Sequence, residues 1–215
     1  LFVTNADSTL TSLSITNRHS ATGVTNTLQV TSPYLTFDVT DDGTQYALNR
    51  LVSVPLSTLA FGGDQTMQVG QVQAGGSVSL TASSGHLMDD GNLNSRITAG
   101  STLTLSAAQG SLGSLANPMG VNASSLALTT RGDLYVTDIT DLSTLTVTSS
   151  HVDATTSYGM AITAPSLKFS VSDSAAGHAV HTLTDTSSLS LARLSSRRLA
   201  RPKSATCGSP CSSIS

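Results

Sequence analysis

Apolar residues along this chain alternate with Ser or Thr in short bursts of period two, as in Leu103-Thr-Leu105 and Leu145-Thr-Val147. Such alternation predicts short β-strands with one dry face and one wet face. The bursts also repeat. Segments Ala74–Leu87 and Ala99–Leu112 agree in residue character at almost every position, and Asn122–Leu134 is a third copy, one residue shorter before its Gly. Taking the apolar-x-apolar centre of each copy as an anchor and extending both ways gives Leu13/Ile15, Leu35/Phe37, Leu59/Phe61, Val78/Leu80, Leu103/Leu105, Leu126/Leu128, Leu145/Val147, Leu167/Phe169 and Leu189/Leu191. The steps between anchors average 22 residues. A unit this short, made of little except alternating strands, cannot bury its own apolar face and must stack on its neighbours. The expected fold is therefore all-β: a β-solenoid of about 22 residues per coil, with nine or ten coils in a rod about 45 Å long. Gly85, Gly110 and Gly132 fall at equivalent places, where a corner requires φ > 0 or leaves no room for a Cβ. The competing architecture is a β-sandwich, which shares the short, evenly spaced strands but has no reason to repeat its sequence.

Composition agrees with this pattern. Of the 215 residues, 36 are Ser and 31 are Thr, Glu is absent, and Lys occurs only at Lys168 and Lys203, so strong helix formers for exposed faces are scarce. Hydrophobic residues at 38% make the chain too apolar for the disordered class. Charge is divided unevenly. Residues 1–192 hold thirteen Asp against five basic residues, and the last stretch holds Arg193, Arg197, Arg198, Arg201 and Lys203 with no acid. An acidic body lacks the footprint for nucleic acid or an anionic membrane surface. Both cysteines, Cys207 and Cys211, lie in that last stretch, so packing and backbone hydrogen bonds must hold the body together. The uncharged run Ile97–Thr130 is too rich in Ser, Thr, Gly and Asn for a transmembrane segment. The chain opens at Leu1 with no basic or apolar leader, which reads as an internal fragment of a longer parent, and open strand edges at its ends predict aggregation. Residues 1–192 are expected to form the repeat region and 193–215 a disordered, basic, Ser/Arg-rich tail.

The phrase Gly110-Ser-Leu-Gly-Ser-Leu-Ala-Asn-Pro-Met119, followed by Ser125-Leu-Ala-Leu128 and Gly132-Asp-Leu-Tyr-Val136, resembles the shaft repeats of filamentous haemagglutinin-like exoproteins of Gram-negative bacteria. The resemblance covers roughly residues 60–150, and the flanks match by period alone. It implies a right-handed parallel β-helix, secreted to the bacterial cell surface through an outer-membrane partner barrel. The implied role is the shaft of a large adhesin or contact-dependent toxin carrier, with a receptor on a host or neighbouring cell. The near absence of Cys suits a chain that crosses the outer membrane unfolded. The amino-terminal secretion domain of the family, with its Asn-rich signatures, is not found in this sequence. Autotransporter passengers share the solenoid and stay open as an alternative.

Candidate chemistry is sparse. Arg131-Gly132-Asp133 spells an integrin-type tripeptide and is the single receptor-binding candidate, yet Gly132 and Leu134 occupy the places of Gly110 and Leu112, so the repeat already demands that Gly. Some β-helices are polysaccharide lyases or hydrolases, which need carboxylates gathered on one face. The paired acids here, Asp41-Asp42 and Asp89-Asp90, each run into a Gly and read as turns. The Gly-Gly-x-Gly-x-Asp calcium nonapeptide is missing, and no catalytic, cofactor or metal residue is assigned. His178-Ala-Val-His181 with Cys207 and Cys211 has ligand chemistry but no framework to hold it, and Asn122-Ala-Ser124 fits a glycosylation acceptor. A non-enzymatic display shaft is the expected function, and a carbohydrate-active β-helix is the alternative. Aspartates gathered on one outer face would favour the enzyme, and aspartates scattered at corners the shaft.

Overall fold

The computed structural model describes residues 1–7, 10–18, 23–151, 156–174, 177–185 and 190–198. The chain forms a β-solenoid, and the described residues contain no helix. It opens with β1 (Phe2–Thr4), β2 (Ser12–Asn17) and β3 (Gln29–Thr31), followed by a hairpin of β4 (Thr36–Asp41) and β5 (Gln45–Ser53). The coils proper use β6 (Thr58–Gly63), β7 (Thr66–Ala74), β8 (Ser77–Ala82), β9 (Leu87–Asp89), β10 (Ile97–Ala99), β11 (Thr102–Ala107), β12 (Met119–Asn122), β13 (Ser125–Thr130), β14 (Leu134–Asp138) and β15 (Thr144–His151). The chain ends in β16 (Tyr158–Ala164), β17 (Leu167–Ser174), β18 (Gly177–Asp185) and β19 (Ser190–Arg198).

Two walls enclose the core. One is a wholly parallel sheet of seven strands in the order β19-β15-β13-β11-β8-β6-β2. Its register sets like on like: Leu59, Val78, Leu103, Leu126 and Leu145 form one inward column, and Phe61, Leu80, Leu105, Leu128 and Val147 form the next. All ten side chains are buried. The residues between them, Ala60, Ser79, Thr104, Ala127 and Thr146, face outward, and the β-branched Thr among them suits the pleated surface. Each inward Leu contributes about 1.5–3 kcal/mol by leaving water.

The second wall has ten strands, ordered β18-β17-β16-β14-β12-β10-β7-β5-β4 with β9 attached to β7. A third column closes the corner between the walls, built from Tyr46, Met67, Leu87, Leu112, Leu134 and Met160. These six are also buried. In-register parallel stacking of successive coils excludes the sandwich.

Two anchors do not belong to the seven-stranded ladder. Phe37 lies in β4 and Leu167/Phe169 in β17, both on the second wall and both in antiparallel pairs, β4 with β5 and β17 with β16 and β18. The ladder therefore steps directly from Leu13 to Leu59 and from Leu145 to Leu191, so seven coils stack where nine or ten were expected. The physical reason is that a hairpin uses the length of one period and the same alternation without adding a turn. At the carboxyl end β19 continues past residue 192 and pairs with β15 as far as Arg198, with a register shift after Leu145. The remainder of the expected tail, 199–215, lies outside the described residues.

Candidate functional site

The corners of the solenoid hold most of its polar chemistry, beginning with the stacked glycines. A Cβ on Gly110 would stand 2.3 Å from the Gly85 carbonyl oxygen, and one on Gly132 would stand 2.4 Å from Ser111 Oγ. Neither glycine has a positive φ. What excludes a Cβ is close approach of the preceding coil, by the Gly85 backbone at Gly110 and by the Ser111 side chain at Gly132.

Arg131-Gly132-Asp133 sits in this corner. The Gly110 carbonyl accepts hydrogen bonds from the Arg131 and Gly132 N–H groups at 3.0 and 2.9 Å. The Arg131 guanidinium donates to Gln109 Oε1. Asp133 accepts from the Gly159 N–H of the next coil at 2.8 Å, while its own N–H donates to Ser111 Oγ at 3.0 Å. Gly132 is buried and the two charged residues are half-buried. The tripeptide is thus woven into coil-to-coil bonding and does not project as a loop.

Both aspartate pairs form turns. Gly43 and Gly91 follow them with φ of 85° and 77°, and the Asp42 carboxylate accepts from the Thr44 N–H, the Thr44 hydroxyl and the Gln45 N–H. Those bonds, led by the Thr44 hydroxyl, hold the Asp42 carboxyl below its ordinary value. Asp89 accepts from the Gly91 N–H at 2.8 Å and the Gly120 N–H at 3.4 Å, and burial pushes its carboxyl up. Asp41 turns inward. It is 2% exposed, and its carboxylate accepts from Asn17 Nδ2 at 2.8 Å, Asn26 Nδ2 at 3.0 Å and the Gly43 N–H at 3.0 Å. One carboxylate thus ties β2, the Asn26 segment and the hairpin together. Nearby, the Tyr46 hydroxyl donates to Asp64 at 2.8 Å, and burial raises its pKa.

Sequence reasoning assigned no role to Asp138. The alternation Leu134-x-Val136-x-Asp138 carried the signal, because it places the third residue inward beside Val121 of the preceding coil. Asp138 is 3% exposed, Oδ1 accepts from the Thr140 N–H at 2.9 Å and the Ala123 N–H at 3.5 Å, and Oδ2 is buried without a hydrogen-bond partner. Desolvation raises its pKa against smaller opposing contributions from backbone hydrogen bonds and Arg96.

His86 is exposed and its Nδ1 accepts from the Ser111 N–H at 2.9 Å, a bond between coils. Asn122 accepts from the Thr140 hydroxyl. His178 and His181 fall in β18, and their side chains, like Cys207 and Cys211, lie outside the described residues. Among the described residues no three of His, Cys, Asp or Glu come together as a metal site, and no helix is long and apolar enough to cross a membrane. Comparison with protein-family models, with curated proteins and with solved structures finds no match to this chain.

Proposed function

We propose that this chain is a segment of a rigid display shaft in a secreted bacterial surface protein of the filamentous haemagglutinin type, holding a binding or toxin domain away from the cell. The observation that carries this reading is the run of in-register inward columns from Leu59 to Leu145, which gives stiffness through stacked backbone hydrogen bonds and packing, with no disulfide in the body. The use of aspartates supports it. Asp41-Asp42 and Asp89-Asp90 serve their own turns, and Asp133 serves the bonding between coils, so these carboxylates are engaged in structure at separate corners.

The test is location. Antibody raised against residues 60–150 should label intact source cells, and external protease should remove the label without lysis. Label that appears only after permeabilisation overturns the proposal.

A further inference from the structure

The corner where the coil of β12 meets the coil of β14 gathers three groups that a display shaft leaves unused: the Asn122 carboxamide, the Thr140 hydroxyl and the Asp138 carboxylate. Val121 and Asp138 are register partners on the two strands, and the Ile139 N–H donates to the Val121 carbonyl at 3.3 Å. On the other side of Asn122, the Ala123 N–H donates to Asp138 Oδ1 at 3.5 Å. The same oxygen accepts from the Thr140 N–H at 2.9 Å, which bends the chain leaving β14 into a turn. Asn122 is therefore tied to the next coil through the residues before and after it, and Thr140 through the carboxylate that does the tying. Held this way, the Thr140 hydroxyl donates to Asn122 Oδ1, across 18 positions of sequence. Both side chains are half-buried.

Asp138 does more in this corner than the turn requires. It is 3% exposed, and Oδ2 is buried with no hydrogen-bond partner, which costs stability and adds nothing to a turn that Oδ1 already holds. Burial raises its pKa, against smaller lowering by the Thr140, Ala123 and Ile139 N–H groups and by Arg96, so this carboxylate is a stronger base than one in water. A hydroxyl bonded to an acyl group, beside a buried base with a free oxygen, has the parts of an activated nucleophile. The competing reaction of an Asn side chain is attack by the following backbone nitrogen to give a succinimide. Here that nitrogen belongs to Ala123, whose N–H is already donated to Asp138.

We propose that Thr140 and Asn122 form an ester that covalently joins the two coils, with Asp138 as the base. Thr140 Oγ1 bonds to Asn122 Cγ, and the bond from Cγ to Nδ2 breaks. Asp138 takes the hydroxyl proton and returns it to the nitrogen, which leaves as ammonia. The step balances without an oxidant, a reductant or an added reactant. Fixed approach of the two groups speeds it, and escape of ammonia carries it forward. The product closes residues 122–140 into a covalent ring, in a body that has no cysteine.

The experiment is mass measurement on the purified full chain, intact and after denaturation and trypsin. Wild type should be lighter than its sequence by one ammonia, about 17 Da. Trypsin cuts after Arg96, Arg131 and Lys168, so Asn122 lies in peptide 97–131 and Thr140 in peptide 132–168. The two peptides should be recovered as one joined species that hydroxylamine separates. Thr140→Val and Asn122→Ala should show full mass and separate peptides, and Thr140→Ser should keep the link. Asp138→Asn keeps the shape but cannot take the proton, and it should leave most molecules unlinked. Circular dichroism checks the fold of the variants, and the wild-type masses decide without them. Wild type at full mass with separate peptides overturns the proposal. Ammonia loss that persists in Thr140→Val places the reaction at a succinimide and overturns it too, as does equal linkage in folded Asp138→Asn.

Discussion

Adding a single methyl group at Gly110 tests the corner architecture directly. The new Cβ would lie 2.3 Å from the Gly85 oxygen and 2.7 Å from the Gly85 carbonyl carbon, both backbone atoms. A comfortable C···O approach is about 3.3–3.6 Å, so the two coils would have to part by about 1 Å. At that separation the hydrogen bonds between these two coils lengthen together: Ser111 N–H to His86 Nδ1, Leu87 N–H to the Ser111 carbonyl, and Gly113 N–H to the Leu87 carbonyl. Overpacking costs about 1–3 kcal/mol, and each weakened hydrogen bond adds up to about 1 kcal/mol, so Gly110→Ala should destabilise by about 3 kcal/mol. For a chain of this size that is a fall in Tm of about 6–12 °C. Two other glycines serve as controls. Gly91 has φ of 77° and nothing within 4 Å of an added Cβ, so Gly91→Ala should cost about 1–2 kcal/mol from backbone conformation alone. Gly62 faces outward in β6 with its nearest neighbour at 3.7 Å, and Gly62→Ala should stabilise by about 0.5–1 kcal/mol. Thermal and urea melts followed by far-UV circular dichroism read all three. If Gly110→Ala proves no worse than Gly91→Ala, the stacked-glycine corner is wrong.

Further expectations concern the aspartates. Asp41→Ala should cost about 2–4 kcal/mol by stranding the Asn17 and Asn26 amides, and it should expose residues 1–31 to protease before the later coils; uniform proteolysis would contradict the latch. Asp138 and Asp89 have carboxyl pKa values raised by burial above the ordinary 3.8, so the folded chain binds more protons than the unfolded chain between 3.8 and those raised values. Their contribution to stability is therefore greatest near and below pH 3.8 and is lost as pH rises through the folded pKa. Asp42, held low, works in the opposite sense, so the contrast must be taken against a variant: Asp138→Asn should flatten the fall of stability with rising pH, and an unchanged slope in urea melts across pH 4–7 would count against the buried carboxylate. Arg131→Ala should move stability by no more than about 0.5 kcal/mol and leave attachment of integrin-bearing cells unchanged; loss of attachment that an RGD peptide also competes away would restore the receptor reading.

The parts of this fold legible in the sequence are those in which one residue position does one thing in every coil. Leu103, Leu126 and Leu145 share a column because all three fill the same inward site, so the repeat announced both the strand and its partner. Gly85, Gly110 and Gly132 were legible for the same reason. The hairpins were not, because period-two alternation encodes which face of a strand is dry and says nothing about the direction of the neighbour. Phe37 and Phe169 therefore looked like further anchors. Asp138 continues the inward alternation of Leu134 and Val136, but a carboxylate is rarely buried, so the pattern alone does not single it out. The inward Asp41 reads from sequence as part of its turn, since Asn17 and Asn26, which donate hydrogen bonds to it, are distant in sequence and fit no motif.

Sequence separation between stacked partners carries a consequence for assembly. From Leu59 to Leu145 each ladder contact joins residues only 19 to 25 positions apart, however long the chain, so closure entropy per coil stays constant and coils can be added one at a time. At two places the interval doubles to 46, from Leu13 to Leu59 and from Leu145 to Leu191, where a hairpin intervenes. Each doubling adds about 0.6 kcal/mol to loop closure. In a one-dimensional array held by nearest-neighbour coupling, those two junctions are the seams where growth pauses and where pulling on the rod first parts it.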